Sequence, residues 1–147
     1  MPALRKVIPF ELPHLRLFTP QPSQVTGYRA TIEGVTDATV LGQCFTIVRD
    51  NRVVMVCGIR PQQEGVGMAW SIIADEADRY DMLYAARKML LFFASKEVRG
   101  LYRRVEMLVC DPFKQGHRFA GMLGFSKEGV MAKRGFNGED VAMYART

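Results

Sequence analysis

Glu106, Asp111 and His117 are three proton-handling side chains that fall close together in a chain of 147 residues. An imidazole titrates near neutrality and can act as a general base toward an amine. A carboxylate on an adjoining strand can relay such a proton through water, and a second can orient the amine. Glu106 alternates with Val105 and Met107 in a strand pattern, Asp111 ends that pattern beside Pro112, and His117 stands in a basic cluster with Lys114 and Arg118. Each also has a plainer reading, which carries more weight. His117 reads as a structural surface histidine, Asp111 as a helix N-cap, and Glu106 as a solvent-facing strand residue.

The elements that must position these groups are legible from Val40 onward. Val7 to Phe10 suggests a first strand, and Pro22 to Glu33 has weak helical character broken by Gly27. Cys44 to Val48 and Val53 to Val56 flank Asp50-Asn51, a dipeptide that tolerates the positive φ of a tight hairpin turn. Met68 to Ala74 continues the meander after the turn at Pro61 to Gly65. Leu83, Ala86, Leu90 and Phe93 then recur at helical spacing, with Met82 and Met89 beside them, predicting one long helix with this face buried. Lys96 falls in its last turn and Gly100 just beyond. Trp70 and the methionines read as core packing rather than an adaptable groove. A strand follows at Val105 to Val109, then a helix from Pro112 to about Leu123. Gly124-Phe125 stops this helix and plugs the core. Strands near Lys127 to Lys133 and Asp140 to Arg146 close the chain. This order predicts an α/β mixed sheet with a β-α-β unit.

Length predicts a single domain over residues 1–147. The longest apolar run, Met89 to Ala94, is too short to span a bilayer, and Pro9, Glu11, Pro13 and His14 replace the apolar core of a secretion signal. Cys44, Cys57 and Cys110 match neither a zinc spacing nor a disulfide framework, so buried thiols and no metal are expected. The net charge of +5 favours anionic partners. The Lys96, Arg99, Arg103, Arg104 cluster lacks the interleaved aromatics of a single-strand stacking platform, so no specific nucleic-acid ligand is expected.

Gly116 to Met131, followed by Gly138 to Tyr144, resembles the C-terminal half of the GCN5-related N-acetyltransferase (GNAT) superfamily, in the subgroup ending Gly-Phe-x-x-Glu-Gly, here Gly124 to Gly129. The resemblance implies the acyl-CoA N-acyltransferase fold, a mixed central sheet with helices on both faces. In that family the strand matching Trp70 to Ala74 splays from the strand matching Val105 to Cys110, and acetyl-CoA enters the V between them. The pantetheine arm pairs with the first strand, here Ile72, Ile73 and Ala74. The pyrophosphate sits in a Gly-rich loop on the next helix N-terminus. Here that loop reads Ala74 to Asp81, with four carboxylates and no glycine. Arg79 is the one cation placed to compensate there, and Arg118 matches a basic residue that could meet a phosphate or adenosine group. The tyrosine that protonates the departing thiolate in many members is replaced by Ala120.

A narrower resemblance covers His117 to Gly129 and Gly138 to Ala145. These stretches are similar to the acetyltransferase-like internal virion protein A family of short-tailed bacteriophages. That implies a phage protein of virion assembly or genome ejection, found in the virion or host cytoplasm with phage structural proteins as partners. The alternative implied by the wider family is an active N-acetyltransferase that moves acetyl from acetyl-CoA to an amine.

Overall fold

The computed structural model describes residues 2–25 and 37–147, so the part of the expected helical stretch from 26 to 33 lies outside the described residues. Strand β1 is Arg5–Pro9, and short 3-10 turns follow at Leu12–Arg16, Pro22–Gln24 and Ala38–Leu41. Strands β2 (Gln43–Arg49), β3 (Arg52–Gln63) and β4 (Val66–Ile73) form the meander. Asp50 and Asn51 adopt φ of 49° and 66° in the β2–β3 turn, the left-handed pair that matches the twist of a two-residue hairpin.

Helices α1 (Arg79–Phe93) and α2 (Lys96–Leu101) carry the chain to β5 (Arg104–Cys110). One helix was expected here, and two form because Ser95 competes with the helical ladder. Its hydroxyl donates to Phe92 O at 2.7 Å and accepts from Val98 N at 3.3 Å, capping a new helix in which Lys96 is the first residue. Helix α3 (Lys114–Met122) is followed by β6 (Ser126–Met131) and β7 (Val141–Arg146). Gly124 closes α3 at φ 79°, with Phe125 N bonded to Ala120 O, and Phe125 turns into the core.

The seven strands of the described residues form one sheet in the order β1-β2-β3-β4-β5-β7-β6, antiparallel except where β4 meets β5. Among the described residues, α1, α2 and α3 contribute to the core on one face, through Ala85, Met89, Phe93, Val98 and Phe119. On the other face Val48, Val56 and Ile72 are covered by Leu15, Leu41 and the half-buried Phe18. The buried side of α1 matches the expected one only in part, at Ala86, Met89 and Phe93. Ala85, Ala86, Met89 and Phe93 point inward together with Asp81, whereas Leu83 and Leu90 face solvent.

No helix among the described residues is long and apolar enough to cross a membrane. The three cysteines are free thiols. Burial pushes Cys44 up to about 11 and Cys57 well above the ordinary value, so neither is a thiolate near neutral pH.

Candidate functional site: a split sheet closed by its own chain

Strands β4 and β5 pair only at Val66–Arg104, Gly67–Val105 and Met68–Glu106, and then diverge. Beyond Met68 the β5-facing edge of β4 therefore loses its strand partner. Backbone groups alternate sides along a strand. Ala74 N reaches back to Val54 O on β3, so Ser71, Ile73 and Asp75 direct their backbone polar groups into the opening.

Four of those groups, Ser71 O, Ile73 N, Ile73 O and Asp75 N, are bonded by the segment Thr19 to Gln24. Pro20 forms an antiparallel bridge with Ala74. Gln21 N donates to Ile73 O at 2.8 Å and Asp75 N donates to Thr19 O at 2.8 Å. The Gln24 carboxamide adds two more: Nε2 donates to Ser71 O at 2.7 Å, and Oε1 accepts from Ile73 N at 2.8 Å. A side-chain amide thus pairs with the strand edge as a peptide group would.

The N-terminus of α1 is engaged too. Asp78 Oδ1 accepts from Asp81 N at 2.9 Å, while Asp81 Oδ2 accepts from Asp78 N at 2.9 Å, a reciprocal cap on the helix amides. Asp81 is 2% exposed. Its carboxylate also accepts from Arg5 Nε at 2.7 Å and Arg49 Nη1 at 2.6 Å, and Asp78 lies 3.1 Å from Arg49. The Asp81 amide holds the Asp78 carboxyl below the usual carboxylate range, with the Arg49 and Arg5 guanidinium groups acting in the same direction. Arg79, expected to compensate these acids, instead lies over the Tyr80 ring at 4.9 Å. The compensating cations come from β1 and β2, which local sequence reasoning could not reach. Arg52 adds a third, 3.5 Å from Glu76.

No family model and no curated protein matches the sequence. Solved structures do. The acetyltransferase from Salmonella typhimurium that modifies the N-terminal serine of a 50S ribosomal subunit protein is 17% identical, with 97% of this chain and 94% of that one covered at a TM-score of 0.69. A GNAT acetyltransferase from Bacillus anthracis gives 16%, 97%, 93% and 0.69, and RimL in complex with coenzyme A gives 16%, 97%, 93% and 0.70. This chain has the GNAT fold.

Within that fold, β4 and β5 are the strands whose V the resemblance assigns to acetyl-CoA, and the α1 N-terminus is the place assigned to its pyrophosphate. Both already have partners from this chain. The backbone of Ile73 is held by Gln24 and Gln21, Ala74 N by Val54, and Ile72 faces β3 opposite Val56. Carboxylates fill the anion position at the helix end, where a phosphate would need free amides. The residues present do not fit the cofactor in the manner of the resemblance. Arg118 is exposed on α3 with no ion pair among the described residues.

His117 and Asp111 do come together. His117 Nε2 lies 2.8 Å from Asp111 O and 3.7 Å from its carboxylate, and Nδ1 lies 2.7 Å from Tyr144 Oη. A carbonyl only accepts, so Nε2 carries a proton, and in the neutral ring the Tyr144 hydroxyl then donates to Nδ1. Both ring nitrogens are engaged within the chain. Asp111 does not cap α3: Phe113 occupies that position, and the Asp111 side chain lies 3.8 Å from Lys127 Nζ. Glu106 stands apart, accepting from Arg104 Nε at 2.9 Å, and Arg104 also bridges to Glu128, so Glu106 is paired rather than simply solvated. Arg104 in turn holds the Glu128 carboxyl below its usual value. Tyr144 was absent from the sequence-derived site because only the β5–β7 register, Met107 opposite Tyr144, places it beneath α3. Ala120, at the position of the missing acid, is fully buried. No group of metal-ligating side chains occurs among the described residues.

Proposed function

We propose that this chain uses the GNAT fold as an interaction module, without acetyl transfer, in the assembly of a short-tailed bacteriophage virion. The observation that carries the non-catalytic part is the occupied β4 edge, with Gln24 seated on Ser71 and Ile73. The capped α1 N-terminus supports it independently. The phage context is supported by the resemblance over His117 to Gly129 and Gly138 to Ala145. Phage structural proteins are the partners this reading names, and the virion or host cytoplasm the place.

The test joins two measurements. A ligand present at a hundred times its dissociation constant adds about 2.7 kcal/mol of native-state stability. With millimolar acetyl-CoA the melting temperature is expected to stay unchanged, and the chain is expected in purified particles. A clear upward shift would sink the non-catalytic reading, and absence from particles would sink the virion one.

One observation favours a working N-acetyltransferase instead. Gln21 Nε2 is buried with no acceptor among the described residues, a donor that a ligand carbonyl could satisfy. Acetyl-CoA turnover on a panel of amines, lost on Arg118→Ala, would establish that activity.

A further inference from the structure

The solvent side of α1 is apolar and basic at once. Tyr80, Leu83 and Leu91 are 55%, 54% and 63% exposed. At helical spacing they share a ridge with Arg87, on the side away from Ala85, Met89 and Phe93. The helix holds a single carboxylate, the buried Asp81, so its exposed surface has none. Arg87 and Lys88, with Lys96 and Arg99 of α2, add positive charge, against Glu97 alone. Arg87 makes no ion pair among the described residues.

Beside this ridge lies a groove of about 820 Å³ between α1 and the outer strands, with Phe10, Phe45, Leu91 and Phe92 in its apolar lining and Lys88 and Glu97 as its charged residues. Leu91 belongs to both ridge and groove. Lys88 is held over the Tyr84 ring at 5.3 Å, on the same flank.

We infer that ridge and groove dock an acidic amphipathic helix of a partner protein. Its apolar side chains enter the groove beside Leu91, and its carboxylates meet Arg87 and Lys88. This rests on the interaction-module reading above and names the chemistry of the partner. Charge and shape select the occupant. A second copy would bring the same cations face to face on chains that each carry +5. A flat anionic bilayer could touch the ridge but not fill a concave groove. An acidic helix does both, in the helix-in-groove mode.

The experiment uses the full chain and three probes: a fluorescein-labelled helical peptide of Glu, Leu and Phe, the same peptide with Lys for Glu, and phosphatidylserine vesicles. The acidic peptide is expected to bind, with affinity falling about tenfold between ~50 and ~300 mM salt. Leu91→Asp and Arg87→Glu are each expected to weaken it at least about tenfold while leaving the melting temperature within a degree or so, since both residues are exposed. Equal binding of the Lys peptide, full binding by Leu91→Asp, preference for vesicles, or no binding of the acidic peptide near millimolar concentration each overturns the inference. An acetyl-CoA shift speaks against the parent reading and leaves the peptide result to be judged by these variants.

Discussion

At the scale of single residues, a carboxamide on a strand edge replaces a peptide group: one donor and one acceptor meet the backbone of residues two apart. Gln24 does this at Ser71 and Ile73. Each such bond contributes about 1 kcal/mol net, and an unmatched backbone group that stays buried costs more. Gln24→Ala is therefore expected to lose about 2 kcal/mol in urea denaturation. It should also raise the exchange rate of the Ile73 amide specifically. If both are unchanged, the bridge contributes nothing to closing the V. His117 offers a parallel case. Tyr144→Phe removes the hydroxyl hydrogen-bonded to Nδ1 and is expected to cost about 1 kcal/mol. Asp111→Asn removes only half-exposed contacts to His117 and Lys127, 3.7 and 3.8 Å long, and should fall within about 0.5 kcal/mol of the parent. A larger loss from Asp111→Asn than from Tyr144→Phe would mean that the carboxylate, and not the tyrosine, fixes the ring.

At the scale of elements, the α1 N-terminus joins helix capping to tertiary charge pairing. Asp81 is enclosed with Arg5 and Arg49, whose side chains are 18% and 17% exposed. Asp81→Ala would leave two guanidinium groups without their main partner, and the expected loss is about 3 kcal/mol, at the low end for breaking a buried pair. The acid sensitivity has a definite sign. Asp78 is held below its ordinary value of 3.8 in the folded chain. Its contribution is therefore complete above that value and disappears as the pH falls through the lower folded value. Melting temperature is expected to drop below about pH 4, and Asp78→Asn should flatten that part of the profile. An unaltered acid limb would assign the sensitivity to other carboxylates. This helix also marks where sequence pattern stopped being informative. Its apolar residues lie on more than one side, so Leu83 and Leu90, which face solvent, fitted the helical period as well as the buried Ala86, Met89 and Phe93 did. Burial of Asp81 depends on arginines far away in sequence, which no local period can register. The Asp50-Asn51 turn and the Gly124 stop were legible because backbone φ at those positions depends on the residues themselves. Glu106 and His117 were visible as chemical groups, but their partners Arg104 and Tyr144 are set by side-chain packing and strand register.

At the scale of the whole molecule, the sheet is two parts meeting at a narrow seam. Strands β1 to β4 and strands β5 to β7 share backbone pairing at three residue pairs only. Arg103 N and Arg104 N also donate to Gly65 O at the start of that seam, and side chains join the parts farther along. Phe93 at the end of α1 meets Phe125 after α3 edge to face, with centroids 5.4 Å apart, and Arg146 of β7 lies over the Phe93 ring at 5.6 Å. Burial of Phe125, at 6% exposure, thus ties the C-terminal strands to the helix that crosses between the halves. Removing it leaves a cavity at the joint, where relaxation of one half does little to fill space against the other. Phe125→Ala is accordingly expected to cost about 3–4 kcal/mol. The loss should be uneven in hydrogen exchange, with amides of β5, β6 and β7 opening before those of β2 and β3, which lie in the other half of the sheet. Uniform acceleration across all seven strands would instead mean that the few backbone pairs at Val66 to Met68 suffice to make the sheet a single cooperative unit, with the Phe93–Phe125 contact adding stability but no connection.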